Sequence, residues 1–422
     1  MSENVVVGTG TGGLHPGKPI TRQTGTQTSG GVREGFPSAA PAETTGAKAV
    51  GGRQQIQESV HVAETKTITR QITAQDIGAH LLSMGFQDTE FNVNFSSLLL
   101  RFGIELSKDN LAKALNMLEG TNKSMTMQES VLVLMSKGIT ENPQAVRILG
   151  DYLASNPQLA SQILSLKGSC SNLLSAMSSS KALLDPNLIG LLNGLLSQFE
   201  NSLTDMEREY SFNSKNPSVD RMEFMMEIAA LRALLKALSD KIKSKEGASP
   251  QELANLSGSI NSTLGKLNGV FDNLVAQTIL SQNTQKGDIS QTNYLYYQIP
   301  NSFGNPPKNF EIMIGKDGGG KVSSINAKNT EIIMSMETES LGKVSIKMEV
   351  RDKKVNFTFN TSDEETRSLI ARESSNLKSK MTSINYETTG LLVRVNPAMT
   401  NLKQYLINFL ESDHLLRIDT KI

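Results

Sequence analysis

The sequence predicts an α+β chain: a disordered N-terminal tail, an all-helical middle with an antiparallel helical hairpin, and a small C-terminal antiparallel sheet covered by one helix. Three observations carry that prediction. Apolar residues alternate with polar ones over residues 330–359, an apolar stripe at helical spacing follows, and the stretch from about 73 to 282 is densely punctuated with helix caps. With 422 residues and 38% hydrophobic content, the chain is long enough for two domains plus flexible segments.

Residues 1–72 are rich in Gly, Thr, Ser, Gln and Pro and hold few residues that could be buried, so ordering them would cost entropy without compensation. Gly8, Gly10 and Gly13 after Val5-Val6-Val7 fit a dinucleotide fingerprint, but Pro16, Gly17 and Pro19 forbid the helix whose amides would meet the phosphates.

The helical middle is expected as a compact domain over 73–166, a Ser-rich hinge over 167–183 and a hairpin region over 184–285. Asn142-Pro143, Asn156-Pro157, Asp185-Pro186 and Ser249-Pro250 each pair an N-cap residue with Pro at the first helical position. Thr126 with Glu129 and Ser249 with Glu252 read as capping boxes, Ser107 as a cap, and Gly138 as a helix end. The hairpin is expected to pack Met222, Met226, Leu231, Leu234, Leu235, Leu238 and Ile242 against Leu253, Leu256, Ile260, Leu264, Leu267, Phe271 and Leu274.

Residues 290–422 form the α+β end, with a core at 330–397. Tyr294 to Ile299 and Phe310 to Ile314 read as strands that extend its sheet. Ile332, Met334 and Met336 precede a turn at Leu341-Gly342, and Val344, Ile346, Met348 and Val350 follow it with period two. Gly342 supplies backbone freedom to that turn and Leu341 anchors it. After a charged turn at Arg351 to Lys354, Val355, Phe357 and Phe359 make a third strand. Ser362 with Glu365 reads as a capping box for a helix carrying Leu369, Ile370, Leu377, Met381 and Ile384. Asn385 suits a left-handed exit, and Leu391, Val393 and Val395 make a closing strand.

This order of strand, Leu-Gly turn, Val-x-Ile-x-Met-x-Val strand, lysine turn, Val-x-Phe-x-Phe strand, and helix beginning Ser-Asp-Glu-Glu-Thr-Arg-x-Leu resembles the C-terminal domain of flagellar hook-length control proteins, the FliK family. The resemblance implies a non-enzymatic regulator that is exported from the cytoplasm through the flagellar type III channel, senses hook length, and switches export from hook to filament proteins. It implies the export-gate switch protein FlhB as partner, with the hook and hook-cap proteins, and no cofactor. Leu341, Gly342, Val344, Ile346, Val355, Phe357, Phe359 and Leu369 would form the interaction and switch core. The chain is expected to be monomeric, with no nucleic-acid partner and no membrane insertion.

The residues themselves point away from other chemistry. Lys and Arg number 42 against 42 Asp and Glu, so no basic excess draws nucleic acid. His15, His61, His80 and His414 share no metal-ligand spacing, and Cys170 is the single cysteine, which excludes disulfides within the chain. The alternative of a different class is a nucleotide-dependent enzyme built on the loop Gly315 to Lys321. A phosphate-binding loop has Ser or Thr after its lysine to hold magnesium, and Val322 stands there instead. Replacing Lys321 by Ala is therefore expected to leave activity in cells unchanged, and titration of the purified protein with ATP should show no saturable binding.

Overall fold

The computed structural model describes residues 72–179, 186–209, 217–243, 249–283, 293–301, 308–316 and 325–410. The expected disordered tail, both glycine-rich loops except Gly315 and Lys316, and His15, His61, His414 and Asp185 lie outside these residues. In chain order come α1 (Ala74–Ser83), α2 (Glu90–Arg101), α3 (Lys108–Leu118), α4 (Met125–Ser136), α5 (Pro143–Ser155), α6 (Leu159–Ser179), α7 (Pro186–Glu209), α8 (Pro217–Lys243) and α9 (Pro250–Ser281). They are followed by β1 (Asn293–Asn301), β2 (Lys308–Lys316), β3 (Asn329–Thr338), β4 (Gly342–Arg351), β5 (Lys354–Thr361), α10 (Glu364–Ser383) and β6 (Glu387–Val395). A 3-10 turn (Pro397–Thr400) and α11 (Leu402–Leu410) end the described chain.

Local capping chemistry explains most helix starts. Thr73, Ser107 and Asn142 accept from the amides of Asp76, Asn110 and Ala145, as N-caps should. Elsewhere a neighbour wins. Ser124 caps α4, so Thr126 sits inside the helix instead of starting it. Asn156 does not begin α6 but ends α5 in a left-handed conformation, φ 43°. Ser249 precedes α9 without making a side-chain cap. Residues 167–179, read as the start of a hinge, continue α6 as helix, with Cys170 and Leu173 fully buried on its packed face.

The expected hairpin is part of a bundle of α6 to α9. Phe224, Ile228, Leu231, Leu235, Leu238 and Ile242 of α8 meet Leu256, Ile260, Leu267, Val270 and Leu274 of α9 in its core. Met222 and Met226 depart from the expectation: each is 62% exposed, because Phe224 and Ile228 take the inward positions. A second core joins α1 to α5 to one face of the sheet, through Tyr294, Tyr296, Met313, Ile333, Tyr405 and Leu406.

The six strands lie in sequence order β1-β2-β3-β4-β5-β6. All neighbours are antiparallel except β5 and β6, which are parallel because α10 crosses back over the sheet between them. The sheet is therefore mixed at the closing strand. Under α10 a third core holds Val344, Val350, Val355, Phe357 and Phe359, with Ile370, Leu377 and Met381 of the helix half-buried against it. Asp363, one residue past the expected Ser362, caps α10 by accepting from the Thr366 amide at 2.8 Å, which holds its carboxyl below the usual range. Asn385 leaves the helix at φ 63°, as a left-handed exit demands.

The turn between β3 and β4 is tied to the start of α10, since Thr366 Oγ1 donates to the Leu341 carbonyl at 3.2 Å. Gly342 in that turn has φ 60°, and a Cβ there would lie 3.0 Å from Ser362 Oγ. Gly342→Val should therefore cost about 1–3 kcal/mol of backbone strain. Urea unfolding followed by circular dichroism should show the loss as a lower midpoint.

Candidate functional site

A strand alternates its side chains between faces, so one register position selects one residue per strand on the same face. One such row crosses all six strands: Gln298, Glu311, Ser335, Ser345, Asn360 and Arg394 are consecutive cross-strand partners. They lie on the face away from α10, and all but Arg394 are buried. A buried polar group without a hydrogen bond costs several kcal/mol in an apolar setting, so the row stands only because its members are answered.

At the β1 end the answers come from the helices. Glu311 Oε1 accepts from Tyr296 Oη and Gln298 Nε2, both at 3.1 Å, and Tyr296 Oη lies 2.6 Å from Tyr152 Oη of α5. Gln298 Oε1 accepts from Asn273 of α9 at 3.2 Å and from the Leu159 amide at 3.3 Å. Asn309 Oδ1 accepts from the Ala160 amide at 2.9 Å. The first amides of α6 are thus capped by two strands rather than by Asn156, which explains where that helix begins. Burial pushes the Glu311 carboxyl up against the opposing hydrogen bonds of Gln298, Tyr296 and Asn156. The Tyr152 and Tyr296 hydroxyls are pushed well up, first by burial and then by the Glu311 charge.

At the β6 end the answers come from the chain terminus. Ser335 and Ser345 donate to the Thr400 and Met399 carbonyls, both at 2.6 Å. Asn360 Nδ2 reaches Tyr405 Oη of α11 at 2.6 Å and Ser345 Oγ at 3.1 Å, while its Oδ1 accepts from Arg394 Nε at 2.8 Å. The row therefore ends on a guanidinium at the sheet edge, oriented by a fully buried asparagine.

The residues expected as switch core fall on the other face. Val344, Val355, Phe357 and Phe359 are buried beneath α10, Leu341 and Ile346 are half-buried beside them, and Gly342 forms the turn. They hold the domain's shape and offer little surface of their own. Leu369 is 36% exposed and stands apart from that cluster. Sequence reading missed the polar row because Ser335, Ser345 and Asn360 sit where an antiparallel strand normally faces water. The signal available was the set of small or amide side chains at one register position, where long charged residues would otherwise be expected.

His80 Nε2 lies 3.1 Å from the Leu106 carbonyl, and Cys170 is buried. Among the described residues no group of three or more His, Cys, Asp and Glu could hold a metal, and no helix is long and apolar enough to cross a membrane.

Residues 318–401 match the family described as flagellar hook-length control protein FliK. The match contains β3 to β6 and α10 and leaves out β1, β2 and α11, so the chain carries a hook-length control domain on its C-terminal side. No curated protein and no solved structure gave a significant match.

Glu311 gives a testable sign. Its folded pKa lies above its unfolded value, so its contribution to stability is fully present below the ordinary carboxylate range and is lost as pH rises through the raised value. Gln in its place still accepts from Tyr296 and Gln298 but carries no charge. Glu311→Gln should match the wild type at acid pH and become the more stable protein as pH rises, read from thermal unfolding over a pH series.

Proposed function

We propose that this chain, whose residues 318–401 match the hook-length control family, is a non-enzymatic regulator of bacterial flagellar hook length. In this reading it is exported by the flagellar type III apparatus, senses hook length with its N-terminal part, and switches export from hook to filament subunits with its C-terminal domain. FlhB is the partner of that domain at the export gate, and the hook and hook-cap proteins are met during passage.

The observation that carries the reading is the family match over residues 318–401, which coincides with the unit of β3 to β6 and α10. That unit has a hydrophobic cluster of its own, suited to a compact module at one end of a chain. Passage through a narrow channel requires unfolding, and a chain with one cysteine has no internal cross-link to oppose it.

Electron microscopy of hooks tests both halves. Removing residues 318–401 should give overlong hooks without filaments. Removing Gly8 to Val50 should shorten hooks on the order of 150 Å if that segment is stretched while length is sensed, or about 65 Å if it is helical. Hooks of unchanged mean length, with the shortened protein still secreted, would refute a measuring role for that segment.

A further inference from the structure

The two edges of the sheet are treated differently. At β1 the outward backbone is answered by α9: the Tyr296 amide donates to Ser281 Oγ at 3.0 Å, Ser281 Oγ donates back to the Tyr296 carbonyl at 3.0 Å, and the Gln298 amide donates to Gln277 Oε1 at 3.0 Å. Pro300, two residues on, has no amide to offer. That edge is closed to any further strand.

At β6 nothing comparable is present. Among the described residues no strand lies beyond it. The Asn396 amide donates to Thr361 of β5, so by alternation the backbone groups of Leu391, Val393 and Val395 point away from the sheet. No hydrogen bond reaches those three amides among the described residues. The strand carries no Pro and no Lys, residues that often protect an edge, and its one bulge, where the partners of Val355 and Asn356 step from Thr388 to Gly390, lies before the three outward residues and leaves Leu391 to Val395 in regular pairing. Leu392 is 51% and Val395 41% exposed, on opposite faces of the strand, and Ile384 just before it is 59% exposed. Arg394 stands beside them, held by Asn360, with no carboxylate in ion-pair range among the described residues.

We propose that the open edge of β6 is a docking site for an extended segment of a partner protein that adds to the sheet as a further strand. The segment carries apolar residues at alternate positions and an Asp or Glu that meets Arg394. This rests on the reading that the domain acts by contacting a partner, and it specifies where. Backbone hydrogen bonds to Leu391, Val393 and Val395 would supply affinity, and the side chains on the two faces would supply selection. The carboxylate follows from charge complementarity, since Arg394 offers a fork of donors held in place by a buried side chain. A second copy of this chain fits less well. Counting past the bulge that drops Thr389 out of the ladder, it could present Glu387 to Arg394, but the same pairing would set Gly390, which has no side chain, opposite Leu392 and leave that leucine uncovered.

The test uses the full chain, in cells and purified. Val395→Pro removes one outward donor at an exposed position without touching the bonds to β5, Arg394→Gln removes the edge charge but keeps a donor for Asn360 Oδ1 where Nε stood, and Arg394→Lys keeps the charge. The first two should melt and be secreted like the wild type yet produce overlong hooks, while Arg394→Lys keeps substantial control. If hooks are normal with both, although deletion of residues 318–401 makes them overlong, the edge proposal falls and the proposed function stands. If the deletion itself leaves hooks normal, the proposed function falls, and the purified protein decides the edge. There the probe is a ten-residue peptide alternating valine and threonine around one glutamate. It should slow hydrogen exchange at Leu391, Val393 and Val395 by about fivefold or more, and its glutamine counterpart should do so less. No protection at these amides, or protection at other strands instead, overturns the proposal. So does a dimer that forms without peptide and is abolished by Val395→Pro, which assigns the edge to a second copy.

Discussion

The packing of the helices against the sheet depends on how the charge of Glu311 is answered. A carboxylate removed from water in a mostly apolar interface is expensive, and the hydroxyl of Tyr296 and the amide of Gln298 offset only part of that. Their positions are fixed in turn by Tyr152, Asn273 and the first amides of α6. Partners in such a network are specified by geometry as well as by burial. A displacement of α6 along its axis by one residue would break the caps from Gln298 and Asn309 together. An apolar seam would tolerate the same slip far better, so this polar one fixes the register between helices and strands.

That arrangement also explains what the sequence made legible. β4, β5 and α10 were readable because Val344, Ile346, Val355, Phe357 and Phe359 alternate without interruption, and a period of two over that length admits few other readings. The turn at Gly342 and the exit at Asn385 were readable because positive φ narrows the choice of residue. Caps were less secure wherever two candidates stood close together. Asp363 displaced Ser362 because an ionised carboxylate accepts an amide hydrogen more strongly than a hydroxyl does. Asn156 fits the start of a helix and the left-handed end of one equally well, and only the strands supplying substitute caps to α6 decide between them.

The candidate site was nearly invisible for a related reason. Alternation reports which residues differ across a strand, but it does not report what covers each face. Ser335, Ser345 and Asn360 look like a solvated face until the 3-10 turn and α11 are laid over them. The closing of one edge and the opening of the other was equally hidden. It depends on Gln277 and Ser281 of α9 meeting β1, a contact between side chains and backbone that leaves no periodic trace.

The cross-strand row and the free edge are parts of one physical arrangement. Glu311 anchors the row where the helices cover it, and successive hydrogen bonds at the far end, from Tyr405 to Asn360 to Arg394, hold a cation where the cover stops. Side chains on exposed edges usually sample several rotamers, and ordering one on binding opposes affinity by roughly 0.5–1.5 kcal/mol. Arg394 has part of that ordering already done by Asn360, itself immobilised by Ser345 and Tyr405. Removing the Asn360 amide would therefore disturb the edge from within, without altering a single residue on its surface. The polar row fixes how the helices sit on one end of the sheet and how a charge is presented at the other, so its buried members serve the exposed edge as much as the core.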